Sequence, residues 1–600
     1  MTPLHYRIAP LDVHAHLLEV ACTVRNPDPA GQHFRLPAWT PGSYLIREFA
    51  RHVVRVAART VQAPVAIEKV GKDRWRAAAC EGPLEVVIQV YAFDLSVRTA
   101  YLDAGRAFFN GASVFLLPEG HAHETCTLDI DASFGASIAG ARVATSMRQA
   151  GALPWGFGAY RAEDYDELID HPVEIGCFTS ATFDAGGVPH EIAVTGARDV
   201  DMPRVAADLA RICQWHCDLF AGQAGGAAPF DRYLFMVMAV GEGHGGLEHR
   251  ASTSLLCKRD ELPRATDLGL GDDYLSFLGL ASHEYFHSWN VKRIKPVAFV
   301  PYELAREAYT RQLWVFEGIT SYYDDLSLSR SGVVPAERVL EVLGRTLTGV
   351  LRTPGRHLQS LGDSSFDAWI KFYRPDENSS NAGVSYYAKG AIVALALDLT
   401  LRRDGSSLDA LMRELWSRHG TTGVGVEEGT VAVLASSLAR RDLGDFFRRY
   451  VDGTDDPPLA ALLAEFGVTL TLRASEGPRD RGGKPAAGQP PATWLGAQWA
   501  ASGELRLTAV HRDGPAAHAG LSANDVVVAI DGLKAGNDML TATLARATRG
   551  TRIGIDAFRR DVLHHFEVEL APAPLDTAYL ALTADAGDEI RERRRAWLGA

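Results

Sequence analysis

The chain has 600 residues, 47% of them hydrophobic and 22% charged, with a formal net charge of −13. That length exceeds a single core and predicts two to four domains; the composition is that of a globular protein, and the acidic balance excludes general nucleic-acid binding. No apolar run is long enough to span a bilayer. The N-terminal MTPLHYRIAPLD lacks the regions of a secretory signal, and seven scattered cysteines read as reduced thiols, so a cytoplasmic protein is expected.

Residues 1–170 read as a β-rich, sandwich-like domain. HLLEVACTV, EVVIQVYAF and ETCTLDIDA carry Val, Ile, Thr and Tyr in partial alternation. Asn26-Pro27-Asp28-Pro29 and Pro41-Gly42-Ser43 punctuate them as turns. AWTPGSYLIREFARHV, Ala38 to Val53, is dense in aromatics, Pro and Arg, and is either a packed turn or a surface facing a catalytic domain. Residues 171–473 form the expected catalytic domain, α+β and mostly helical. Its first part mixes strands, EIAVTG and YLFMVMAV, with one helix, VAADLARICQWHCDLF, whose Cys213 and Cys217 read as core rather than metal ligands. GEGHGGLEHR, Gly241 to Arg250, follows YLFMVMAV at once. Four glycines in six positions imply unusual dihedrals or close approach to another group, and a plain hairpin turn needs neither Glu248 nor His249.

The rest of this domain predicts helices. One covers YLSFLGLASHEYFHSWNV, with Asp272 and Asp273 as N-cap candidates and Lys292, Arg293 and Lys295 as a basic end before Pro296. A second runs from about Arg306 to Arg330, with Gly332 just past its end. Further helices are SYYAKGAIVALALDLTLRR, SLDALMRELWSRHG and GTVAVLASSLARRDLGDFFRRYVDG, while 353–384 reads as a long polar loop. Residues 474–491, ASEGPRDRGGKPAAGQPP, form a linker. Residues 492–572 are a compact β-rich unit, and 573–600 a tail ending in a basic amphipathic helix, Asp588 to Leu598.

The chemistry centres on HEYFH, His283 to His287. On a helix, histidines at i and i+4 share one face a turn apart, with the Glu between them on an adjacent face; this is a known way to hold zinc and activate its water. A catalytic zinc needs a third ligand from a separate element, and Glu317 in QLWVFEGITSYYDD is the candidate: among apolar neighbours a carboxylate is costly unless paired or metal-bound. Glu284 then takes a proton from the activated water. An oxyanion donor is also required, and SYYAKG offers Tyr386 and Tyr387.

HEYFHSWN, LWVFEGITSYY, GGLEHR and YAKG, in these places along the chain, resemble the gluzincin aminopeptidases, and most of all the glycyl-aminopeptidase family with a C-terminal PDZ domain. AWTPGSYLIREFARHV looks like that family's N-terminal domain. The resemblance implies a thermolysin-like catalytic domain with one zinc on His283, His287 and Glu317, Glu284 as general base and Tyr387 as oxyanion donor. It also implies that Glu248, with Gly245 and Gly246, grips the free α-amino group of a peptide whose first residue is small, Gly or Ala. Leu247 and His249 stand where the common aminopeptidase motif has Met and Asn, so a zinc endopeptidase is the first rival reading. WLGA, Trp494 to Ala497, looks like a PDZ carboxylate-binding loop, with a peptide C-terminus as the implied ligand. A PDZ-type binding protein with a vestigial metal site is the second rival. Neither nucleic acid nor membrane is expected as a partner.

Overall fold

The computed structural model describes residues 2–197, 199–477, 479–485, 492–500 and 502–599. Part of the expected linker, Pro478 and residues 486–491, lies outside them. The chain divides into two compact units: residues 1–308 with 415–426, and residues 309–414 with 427–600.

The first unit opens with the expected β-rich domain. An eight-stranded sheet is built around Leu4–Asp12, which pairs antiparallel with Leu17–Val24 and parallel with Cys126–Ile130. Leu84–Tyr91 in this sheet alternates buried and half-buried residues, the pattern of a strand with one face on a core. Two four-stranded sheets complete the domain, and Leu4, Ile88, Phe34, Trp75, Phe109 and Val173 from the three sheets share one apolar core. Strand Val173–Gly176 still belongs to this domain, paired with Arg106–Phe109, so the β region runs past residue 170. The aromatic turn from Ala38 packs on the segment that follows the HEYFH motif: Trp39 Nε1 donates to the carbonyls of Glu303 and Arg306 at 3.0 and 2.9 Å.

A five-stranded sheet follows, in the order Phe178–Ala185, Val188–Thr195, Tyr233–Val240, Ser252–Lys258, Gly245–Glu248. The second part of the glycine-rich stretch, Gly245–Glu248, is therefore an edge strand, and residues 241–244 before it are irregular. Helix Met202–Ala221 buries Cys213 and Cys217, as expected of core residues. The HEYFH helix spans Asp272–Phe286. Its N-cap is Gly271 with no side-chain cap; Asp272 and Asp273 instead lie in the first turn, where their charge suits the helix dipole. The helix stops at His287, so Lys292, Arg293 and Lys295 do not end it but belong to the irregular segment beyond.

In the second unit the helix expected from Arg306 begins eight residues later, with one turn of π-helix at Trp314–Gly318 running into Ile319–Arg330; Gly332 takes the left-handed conformation just past its end. The expected long loop 353–384 holds short helical pieces, among them Leu361–Phe366 and Ser379–Ala382. The β-rich C-terminal region has a four-stranded sheet, Leu533–Lys534, Val526–Ile530, Arg552–Arg559 and Val562–Glu569 in order, and a helix, Asn537–Arg546, over its own apolar core. The last residues are not a free tail. Thr577–Leu582 pairs antiparallel with Val468–Arg473, and helix Asp588–Leu598 docks through Trp597, whose Nε1 donates to the Tyr322 hydroxyl at 2.8 Å. Sequence patterning marked that helix as amphipathic but could not say that its apolar face, Trp597 and Leu598, is buried.

Candidate active site

Two pieces of backbone in the first unit carry the site: helix Asp272–Phe286 and the edge strand Gly245–Glu248. His283 is in the last helical turn and His287 is the C-cap, and their rings stand edge to face with centroids 4.6 Å apart. His287 is buried, and its Nδ1 donates to the Asn290 carbonyl at 2.7 Å. That bond fixes the tautomer and puts the ring's lone pair on Nε2, the nitrogen a zinc-ligating imidazole would use.

The helix is held from behind by an aromatic layer. Tyr285, between the two histidines, packs on Tyr233 and Trp289, and its hydroxyl lies 2.9 Å from His190 Nε2. Ser282 bonds His216 Nε2 at 3.0 Å. Burial lowers His190 to about 4 and His216 to about 3, so both imidazoles are neutral near pH 7.

Glu284 is buried against the edge strand. A Cβ at Gly246 would stand 2.0 Å from Glu284 Oε1, so only glycine lets the strand pass this close. Glu248 closes the strand. It is 3% exposed, and its Oε1 has no hydrogen-bond partner, a state that invites a cationic group. Gly42, at φ +93° in the N-terminal turn, presses onto this carboxylate: a Cβ there would lie 2.5 Å from either oxygen. Glu248, Glu284 and His287 offer ligand atoms within 4.8 Å of one another.

The turn after Glu248 is fastened by Asp170 of the N-terminal domain. One carboxylate oxygen accepts from Lys292 Nζ at 2.7 Å and His249 Nδ1 at 3.2 Å; the other accepts from the backbone N and Nε of Arg250 at 3.0 and 2.8 Å. Burial opposes ionisation of Asp170, but Lys292 and Arg250 hold its carboxyl well below the usual carboxylate range. Burial likewise lowers His249, with Asp170 opposing.

Glu317 and Tyr387 belong to the second unit. Glu317 is buried in the π-helical turn, which packs on the start of helix Ala388–Arg403. Tyr387 is that helix's N-cap; its hydroxyl lies 3.0 Å from that of Tyr373, and its ring stacks on Phe372. Tyr386 is fully buried, and burial, then Tyr373 and Glu317, raise its hydroxyl well above the usual value. Of the two tyrosines, Tyr387 is half-buried and Tyr386 buried.

The first unit thus brings together His283, Glu284, His287, Glu248, Gly245 and Gly246. Sequence reasoning missed Asn290, Asp170, Tyr373 and Arg98, whose Nη2 donates to the Gly246 carbonyl at 3.2 Å. Asn290 had a signal, standing three residues after His287 where a local carbonyl can reach the ring; Asp170 and Arg98 act 122 and 148 positions from their partners, and Tyr373, 14 from Tyr387, lies in a polar stretch with no pattern.

The model of the Peptidase M61 N-terminal domain matches residues 5–177, and that of M61 glycyl aminopeptidase matches residues 276–393. A crystal structure of an aminopeptidase N family protein from Idiomarina loihiensis is 40% identical, with a TM-score of 0.94 over 99% of this chain and 100% of that one. An M1 zinc metallopeptidase from Deinococcus radiodurans is 14% identical, with a TM-score of 0.46 over 76% of this chain and 94% of that one. Legionella pneumophila aminopeptidase A is 13% identical, with a TM-score of 0.48 over 80% and 51%. No curated protein matches. With whole-length likeness at 40% identity and both M61 models in register, the chain belongs to the M61 glycyl aminopeptidase family of metallopeptidases.

Proposed function

We propose that the protein is a zinc aminopeptidase that removes small N-terminal residues, Gly or Ala, from peptides, with one zinc per chain on His283, His287 and Glu317. The tautomer of His287 and the buried setting of both His287 and Glu317 support this ligand set. Zinc, when bound, supplies the Lewis acid that polarises the scissile carbonyl and acidifies water. Glu284 takes the water's proton and passes it to the leaving amine. Tyr387 donates its hydroxyl to the developing oxyanion. Glu248 binds the substrate's α-ammonium group, and the substrate lies along Gly245–Gly246 by strand addition.

The observation that carries the reading is Glu248, a buried carboxylate with an unsatisfied oxygen at the end of the strand that covers Glu284. A blind end of that charge suits an N-terminus and not the middle of a chain. Gly42 pressed onto the same carboxylate supports a small first residue. The reading places the protein in the cytoplasm, supported by seven free thiols, five of them buried; among the described residues no helix is long and apolar enough to cross a membrane.

The C-terminal region is read as PDZ-like. A groove of about 620 Å³ is lined by Trp494, Leu495 and Trp499, by Thr541 and Leu544 of helix Asn537–Arg546, and also by Arg352 and Arg356 of the helical region, a lining that supports capture of a peptide C-terminus.

Glu284→Gln tests the base. Zinc content is expected to stay at one per chain while kcat falls at least about 100-fold; undiminished turnover would end the assignment.

A further inference from the structure

Arg98 sits in the N-terminal domain, in the segment between strands Leu84–Tyr91 and Ala100–Leu102. Its half-buried guanidinium reaches the catalytic edge strand, where Nη2 donates to the Gly246 carbonyl and Nη1 and Nη2 lie 3.7 and 3.8 Å from the side-chain position of Gly245. Among the described residues Arg98 has no ion-pair partner, and its Nε is buried without a hydrogen-bond acceptor. An arginine in that state beside an active site is short of one anion.

The strand pairing says where that anion belongs. His249 N donates to the Ser252 carbonyl, and antiparallel alternation then turns the backbone groups of Gly246 and Glu248 away from Ser252–Lys258, toward the open edge. A peptide with its ammonium group at Glu248 must run antiparallel to the edge strand, from Glu248 toward Gly245. Gly246 is two residues back, about 6.6 Å along the strand. Two extended residues span about 7 Å. The second residue of the substrate therefore ends at Arg98.

We propose that Arg98 is a substrate-binding residue that takes the free carboxylate of the residue after the scissile bond, which makes dipeptides the preferred substrate class. Glu248 and Arg98 form a pair of opposite charges spaced for a dipeptide zwitterion. Longer peptides present a neutral carbonyl to Arg98 and gain less. This inference rests on the aminopeptidase reading, with Glu248 as the ammonium site.

The test compares kcat/KM of the zinc-loaded full chain for Ala-Ala, Ala-Ala amide and N-acetyl-Ala-Ala, in wild type, Arg98→Ala and Arg98→Lys. Wild type is expected to favour Ala-Ala over its amide about tenfold to a hundredfold, the scale of one charge-assisted hydrogen bond. Arg98→Ala is expected to erase that ratio by lowering Ala-Ala alone, and Arg98→Lys to restore part of it. Equal cleavage of acid and amide by wild type overturns the proposal even if the variants fail to fold. So does an equal loss on both substrates in Arg98→Ala, which would mean that Arg98 only braces the strand. Cleavage of N-acetyl-Ala-Ala as fast as Ala-Ala, or of none of the three, instead refutes the aminopeptidase reading beneath it.

Discussion

Each reactive side chain here is placed by a neighbour that gives up space or a hydrogen bond. Gly246 gives up space to Glu284, so Gly246→Ala is expected to push the carboxylate aside, with a Cβ only 2.0 Å from Oε1. Activity should fall at least tenfold with zinc retained, measured as kcat beside metal content; normal kcat would mean the strand has room to shift. Glu248→Ala removes the proposed ammonium site while leaving His287 and its bond to Asn290 in place. Its loss is expected on free N-termini and not on acetylated ones, and an equal loss on both would remove Glu248 from substrate binding. Sequence supplied these residues because each sits inside a short pattern: His283, Glu284 and His287 in HEYFH, Glu248 behind four glycines. Arg98 and Asp170 were illegible for the opposite reason. Arg98 meets its partner 148 positions away, and a lone Arg in a loop carries no pattern.

At the scale of elements, the HEYFH helix is seated on neutral imidazoles. His190 and His216 have folded-state values near 4 and 3, both below the unfolded value of about 6.5. Between those limits the unfolded chain binds more protons, so stability is full above pH 6.5 and is lost as pH falls toward 4. Two such groups set a slope of up to about 2.7 kcal/mol per pH unit, readable as the fall in urea midpoint between pH 6.5 and 5. A flat profile would mean that these rings are solvated. Asp170 joins the turn after Glu248 to the segment after His287. Asp170→Asn leaves Lys292 buried without its counter-charge, while the half-buried Arg250 keeps Asp166, and about 3–5 kcal/mol of stability is expected to go, measured by denaturant unfolding. The helices were legible from periodicity, but their ends were not. Gly271 and not an Asp caps the HEYFH helix, and the helix carrying Glu317 starts with a π turn that no 3.6-residue pattern announces.

For the whole molecule, composition set the broad class, and turn chemistry with strand alternation exposed the order of β-rich, helical and β-rich regions. The C-terminal segment shows where that reading stops. Its charge made it look like a tail, yet two buried residues, Trp597 and Leu598, fix it in the second unit, and a stripe that narrow is lost among four arginines, Arg591, Arg593, Arg594 and Arg595, and their acidic neighbours. The central claim is that a zinc-dependent peptidase accepts only chains that present a free N-terminus to Glu248. The most direct measurement is kcat/KM of the zinc-loaded protein for an alanyl chromogenic substrate and its N-acetyl counterpart, before and after chelation. Cleavage of the free amine at least a hundredfold faster, abolished by the chelator and restored by zinc, is the predicted result. Equal cleavage of both substrates, or cleavage that survives removal of the metal, would contradict it.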